Sequence, residues 1–261
     1  MEPPPPRWSV VVPAFDEETL LPATLASIRG AMAAVPHPGE IVVCDNNSRD
    51  RTAEVARAAG ATVVFEPVNQ IARARNTGAR GARGEWLVFV DADTAVTPAL
   101  LRDAIEALSS GRACGGGTRV RFDGPQGRFP RALAAVWDRV SKVFQLAAGS
   151  FVFARRDAFD AVGGFPESVY AGEEVLLSLR LKKWGRARRI PFVVLEGHAV
   201  VTSARKLDWF PAWRLLGTMM LFTVCPFLMR SKRFCSVWYD RPPPPGAAAV
   251  TPPAPPIRAP R

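Results

Sequence analysis

The chain lacks a glycine-rich phosphate loop. Neither G-x-G-x-x-G nor G-x-x-x-x-G-K-[ST] occurs, and Gly115-Gly116-Gly117 lacks the following Lys. Dinucleotide folds and P-loops need backbone amides close to a pyrophosphate, so both classes are excluded. Cysteine is scarce, with four residues and no C-x-x-C pair. No signal-peptide pattern precedes them and Cys44 falls in an apolar strand-like run, so reduced thiols in the cytoplasm are the expectation. The longest apolar run, residues 215–229, is 15 residues and contains Gly217 and Pro226. Crossing a bilayer takes about 20 residues, so no transmembrane helix is expected. Histidine is limited to two residues, and no internal repeat is evident.

Positive charge, by contrast, is plentiful. Lys and Arg number 34 against 24 Asp and Glu, a formal net charge of +10, which favours polyanionic partners such as nucleotide phosphates or an anionic membrane surface. The cations are mostly Arg scattered along the chain without a zinc-finger or RNP-like motif, which argues against nucleic acid. Proline concentrates at the two ends. Residues 1–6 and 240–261 read as disordered arms, because runs such as 242–245 build neither helix nor ladder.

Between the arms, short β-branched runs at 8–12, 40–44, 61–65 and 86–90 alternate with helix-like segments. Leu21, Leu25, Ile28 and Met32 recur at helical spacing, and a short helix over 52–59 is closed by Gly60. Strand–helix alternation implies parallel pairing with right-handed crossovers, and nearly continuous apolar strands imply helices on both faces. Further on, residues 98–109 and 173–185 read as helices and 114–122, 150–154 and 191–195 as strands. The expectation is an α/β, doubly wound, mostly parallel sheet flanked by helices, completed as a mixed sheet in one domain over residues 7–206. An apolar segment over 207–239 follows.

In open α/β sheets ligands bind beyond the carboxyl ends of the strands. Here those ends are acidic: Pro13-Ala14-Phe15-Asp16-Glu17, Asp45-Asn46-Asn47-Ser48 and Asp91-Ala92-Asp93. Carboxylates would repel a diphosphate unless a hard divalent cation such as Mg²⁺ or Mn²⁺ lay between them. Asp91-Ala92-Asp93 suits that role, although Asp-x-Asp alone is common in turns, and Thr97 or Asp93 could equally cap the helix at Pro98.

These stretches, with Ala72-Arg73-Ala74-Arg75-Asn76-Thr77-Gly78 and Gly84-Glu85-Trp86-Leu87-Val88-Phe89-Val90-Asp91-Ala92-Asp93, resemble family 2 glycosyltransferases of the GT-A fold, in the family's order. The resemblance implies a transferase using a nucleotide-diphospho-sugar donor and a divalent metal. It gives Pro13, Ala14, Phe15, Glu17, Asp45 and Asn47 to the nucleoside side of the donor site, and Arg75 with Asp91 and Ala92 to donor positioning. Asp93 becomes the metal ligand on the diphosphate.

Gly163-Gly164-Phe165 and Tyr170-Ala171-Gly172-Glu173-Glu174 are similar to the family's acceptor loop and catalytic-base helix. An attacking alcohol needs a base, and a carboxylate at a helix start is placed to serve; acids there also simply complement the helix dipole. The family usually shows Glu-Asp, so Glu174 aligns with the base and Glu173 stands in reserve. His198 follows an apolar strand near where relatives place a metal-binding His, while Arg205 and Lys206 would neutralise the leaving diphosphate.

Inversion is implied by the resemblance. The Q-x-x-R-W motif and spanning helices of processive members are absent, which predicts single transfer to a hydroxyl, lipid-linked acceptors included. Trp209, Trp213 and Trp238 with Arg214, Arg230, Lys232 and Arg233 flank the apolar run and suit a peripheral site at the inner face of a membrane, although a packing or dimerisation helix would read alike. Two other classes remain: a catalytically silent GT-A-fold binding protein, and a sugar nucleotidyltransferase, which would need a Gly-rich basic loop where Pro13-Ala14-Phe15 stands.

Overall fold

The computed structural model describes residues 4–123, 147, 149–203, 205, 209, 210 and 212–240. Lys206, residues 1–3 of the N-terminal arm and residues 241–261 of the C-terminal arm lie outside the described residues. The first half alternates β1 (Trp8–Ala14), α1 (Leu21–Met32), β2 (Gly39–Asp45), α2 (Thr52–Ala58), β3 (Thr62–Phe65), α3 (Ile71–Gly81) and β4 (Trp86–Val90). Then come β5 (Thr94–Ala95), α4 (Pro98–Ser109), β6 (Gly115–Phe122), β7 (Phe151–Arg155), α5 (Arg156–Ala161), α6 (Glu173–Arg186) and β8 (Phe192–Thr202). The C-terminal segment holds α7 (Ala212–Val224), two 3-10 turns (Pro226–Arg230 and Lys232–Cys235) and α8 (Ser236–Tyr239).

The strands form one eight-stranded sheet in the order β3-β2-β1-β4-β7-β6-β8-β5. β3, β2, β1 and β4 are parallel, β7 runs antiparallel to both β4 and β6, and β8 returns parallel to β6. The mixed second half expected from the sequence is thus present. Because side chains alternate along a strand, Val10 and Val12 enter one core with α1 and α4, whereas Val11 enters the other with α3 and α6. Fully burying such a side chain contributes about 1.5–3 kcal/mol, and both faces of β1 do so.

Local chemistry sets the details that matter for the site. A Cβ on Gly78 would lie 2.4 Å from Val11 Cγ1, so only glycine lets α3 lie this close to β1. The Thr97 hydroxyl accepts from the Leu100 amide at 3.3 Å and caps α4, which leaves Asp93 without a capping role. β8 extends past the expected 191–195 as far as Thr202. Its register with β6 jumps from Thr118↔Leu195 to Arg119↔Ala199, so residues 196–198 bulge out. The apolar run 215–229 is not one helix. α7 ends at Val224, and Pro226, which cannot donate a backbone hydrogen bond and disfavours α geometry at Cys225, opens a 3-10 turn.

Candidate active site

The loops after β1 and β2 are stitched to each other. The Asp16 amide donates to Ser48 Oγ at 3.0 Å, the Arg49 amide donates to Asp16 Oδ1 at 2.7 Å, and the Glu17 amide donates to Thr52 Oγ1 at 2.7 Å. Asp16 and Asn47 hold positive φ, 50° and 65°, a conformation that Asp and Asn tolerate better than other non-glycine residues. Asp45 closes its own turn by accepting from the Ser48 amide at 3.0 Å. Its neighbour Asn46 donates to the carbonyls of Glu66 (3.0 Å) and Val68 (2.7 Å) and accepts from the Gln70 amide (3.0 Å), holding the chain that leads into α3.

Arg75 on α3 is 2% exposed, and its guanidinium spans three elements. It donates to Asp91 Oδ1 at 2.8 Å, to Glu173 Oε1 at 2.8 Å and to the Gly149 carbonyl at 2.9 Å, and it lies over the Phe165 ring at 5.1 Å. Burial alone would lower the Arg75 pKa, but Asp91, Glu173 and Glu174 outweigh that and raise it, so the cation is fixed. Its Nε is buried and has no hydrogen-bond partner among the described residues. A second arginine closes the other side. Arg205 donates to both Glu17 carboxylate oxygens, one at 2.8 Å, reaches Asp93 Oδ2 at 3.2 Å and lies over Trp209. Thr202 Oγ1 donates to the other Asp93 oxygen, Oδ1, at 3.2 Å.

Gly172, at φ 72°, turns the chain into α6 and places Glu173 and Glu174 in its first turn. Glu173 is committed to Arg75, whereas no hydrogen bond from another residue reaches the Glu174 carboxylate among the described residues. Burial first, and the neighbouring Glu173 charge second, push Glu174 up to about 8 against the opposing pull of Arg75. Such a carboxyl changes charge close to neutral pH, where a proton acceptor works best.

Pro13, Ala14, Phe15, Glu17, Asp91, Ala92, Asp93 and Arg205 line one open cleft. Asn46, Asn69, Ile71, Ala74, Trp209, Trp238 and Tyr239 complete its walls. The three aromatics come from the C-terminal segment, which docks through the Tyr170 amide on the Met229 carbonyl (2.6 Å) and the Tyr239 hydroxyl at the Ile71 amide (3.3 Å). Asp45, Asn47, Arg75, Glu173 and Glu174 are not in this lining; Arg75 and Glu173 stand behind Asp91.

The structure does not bring His198 to Asp93. It sits in the β8 bulge, its Nε2 is 2.8 Å from Asp103 Oδ2 on α4, and it lines a separate cavity with Arg119, Arg121 and Glu196. No group of three or more His, Cys, Asp or Glu able to hold a metal occurs among the described residues. The donors in the cleft still fit a hard cation of the Mg²⁺ or Mn²⁺ kind, which commonly takes one or two carboxylates and completes its shell with substrate phosphate and water. Asp91 and Asp93 face the same cleft, and Arg205 already pairs with Asp93, evidence that this edge carries negative charge in need of a counterion.

The carboxylate edge at the carboxyl ends of parallel strands, with a cleft and an acidic helix start beside it, is arranged as in the GT-A fold of the solved structures it superposes on. The family model described as glycosyl transferase family 2 matches residues 9–163, and the chain belongs to that family. Among curated relatives, undecaprenyl-phosphate 4-deoxy-4-formamido-L-arabinose transferase of Pseudomonas aeruginosa is 33% identical over 138 residues, covering 48% of this chain and 39% of that protein. An uncharacterized glycosyltransferase of Mycobacterium tuberculosis is 36% identical over 103 residues, 40% of this chain and 44% of the relative. The chain thus spans less than half the length of the curated relatives it matches. Among solved structures, the Pyrobaculum calidifontis mannosyltransferase in complex with GDP-mannose and Mn²⁺ superposes with a TM-score of 0.65 at 23% identity, over 92% of this chain and 67% of the other. Glucosyl-3-phosphoglycerate synthase of M. tuberculosis, in complex with Mn²⁺, UDP and glucosyl-3-phosphoglycerate, gives 0.60 at 24% identity over 86% of this chain and 80% of the other.

Proposed function

We propose that this chain transfers a single sugar, with inversion, from a nucleoside-diphosphate donor to an acceptor hydroxyl, assisted by a divalent cation. The observation that carries this reading is the shared cleft. Pro13, Ala14, Phe15, Glu17, the Asp91-Ala92-Asp93 edge and Arg205 line one space, and the Glu173–Glu174 helix start is tied to its back wall through Arg75. The GDP-mannose and UDP complexes of the structural neighbours, both with Mn²⁺, support the donor class. The name of the Pseudomonas relative, an undecaprenyl-phosphate transferase, supports extending the acceptor to a lipid carrier.

In this reading Pro13, Phe15 and Glu17 bound the nucleoside side, with Asp45 and Asn47 in the turn behind them. Asp93, with Asp91 beside it, would hold the cation, which supplies Lewis-acid neutralisation of the departing diphosphate. Arg205 contributes a fixed positive charge at the same edge, and Arg75 keeps Asp91 and Glu173 in place. Glu174 takes the acceptor's hydroxyl proton as its oxygen bonds to the anomeric carbon. The anomeric bond to the diphosphate oxygen breaks on the opposite face with its electron pair, giving an inverted glycoside and a free nucleoside diphosphate.

The test is a donor panel. With Mn²⁺ present, at least one of the UDP-, GDP- or dTDP-sugars is expected to release nucleoside diphosphate through slow hydrolysis without acceptor. Release from none, by a folded protein that also binds none of them, would contradict the reading.

A further inference from the structure

The C-terminal segment walls the cleft with one side and leaves the other side bare. On α7, Trp213 is 74% exposed, Met220 69% and Val224 75%, and Phe227 in the following turn is 64% exposed. Trp213, Met220 and Val224 fall seven and then four residues apart, the spacing of one helical stripe, with exposed Gly217 between the first two. The outward face of this helix is therefore apolar, the reverse of the usual pattern in which the core-facing stripe is apolar and the solvent side polar.

Charge within α7 and the two turns after it has one sign, with Asp208 and Asp240 lying in the sequence on either side. Between Trp209 and Tyr239 the sequence contains Arg214, Arg230, Lys232 and Arg233 and no Asp or Glu. Arg214 is engaged inside the segment, with Ser236 and the Phe210 ring, whereas Arg230 and Arg233 in the turns beside α7 are exposed. No helix among the described residues is long and apolar enough to cross a membrane. A short apolar helix with a cationic rim is the form that lies in the headgroup layer of an anionic bilayer. A symmetric dimer through this face would instead bring two cation-rimmed surfaces together, with no carboxylate on α7 or in the Pro226–Arg230 turn to pair them.

We infer that the exposed face of α7 and the Pro226–Arg230 turn seat the protein on an anionic phospholipid surface. Because Trp209, Trp238 and Tyr239 of the same segment form one wall of the cleft, docking sets the cleft beside the lipid. Resting on the proposed transferase reading, this makes the acceptor a lipid-borne group presented from the membrane.

Sedimentation with phosphatidylglycerol–phosphatidylcholine vesicles tests the surface without requiring transfer. The protein is expected to pellet at low salt, to be released by high salt, and to stay in solution with phosphatidylcholine alone. Met220→Asp combined with Val224→Asp changes two solvent-facing positions, so folding is retained while pelleting is lost. Arg230→Ala with Arg233→Ala should weaken partition roughly 25-fold, about fivefold for each cation removed near the surface. Neither pair lines the cleft, so donor hydrolysis is expected to stay at the wild-type rate. Wild-type protein that remains in the supernatant with anionic vesicles overturns the inference, as does equal pelleting by the Asp variant. So does light scattering that shows a dimer turned monomeric by Met220→Asp and Val224→Asp without any vesicle binding. Loss of donor hydrolysis with vesicle binding intact would count against the transferase reading instead.

Discussion

Replacing Glu174 by Gln separates its catalytic role from its cost to the fold. The wild-type carboxyl is held at about 8, against 4.5 for a free glutamate, by burial and by Glu173. A general base works only when deprotonated, so the transfer rate should climb as pH rises through about 8 and level off above it. Glu174→Gln preserves shape and should lose about 10²–10⁴-fold in rate, along with that inflection, while donor affinity stays near wild type. Stability should move the other way. A carboxyl whose folded pKa is raised favours the fold at acid pH, and that contribution is lost as pH climbs from 4.5 toward 8. At about 1.36 kcal/mol per pH unit the shift corresponds at most to roughly 4–5 kcal/mol, and partial solvent access lowers this to about 2–3 kcal/mol. The variant should therefore melt on the order of 5–10 °C above wild type at alkaline pH and close to it in acid. Stopped-rate transfer assays and calorimetric melts across pH measure both effects. A flat wild-type pH profile, or an inflection that survives in Glu174→Gln, would refute the assignment.

Glu173→Gln removes an ion-pair partner of Arg75 rather than the base, so it should cost less in rate than Glu174→Gln; the opposite order at equal donor affinity would exchange their roles. Arg75→Met leaves Asp91 and Glu173 without their shared buried cation and should destabilise by about 3–5 kcal/mol, read from denaturant unfolding. Gly78→Val drives a side chain into Val11 and should cost at least 1–3 kcal/mol in the same measurement, about the usual penalty of overpacking. His198→Ala removes the contact with Asp103 and touches no acid of the cleft, so calorimetry should find Mn²⁺-dependent donor affinity unchanged.

Elements with strong local signals could be read from the sequence almost to the residue. Thr97 and Pro98 announce the start of α4, and the apolar run into Asp91 marks β4 with its functional edge. Local pattern failed where distant chain decides the geometry. His198 looked like a residue following a strand, but pairing with β6 carries β8 on to Thr202, and the bulge at 196–198 hands the imidazole to Asp103. Trp238 and Tyr239 carry the composition of an interfacial segment. Only docking against Tyr170 and Ile71, which no sequence spacing encodes, makes them cleft walls. Asn46 gave no local signal of its role either: its amide donates to the carbonyls of Glu66 and Val68, which a carboxylate could not do.

Titration calorimetry of nucleoside diphosphates with and without Mn²⁺, on wild type and on Asp93→Ala, tests the central claim most directly. The account predicts metal-dependent binding of at least one of UDP, GDP or dTDP by wild type and loss of that metal dependence in a folded Asp93→Ala protein. Metal-dependent affinity retained by the variant would contradict it.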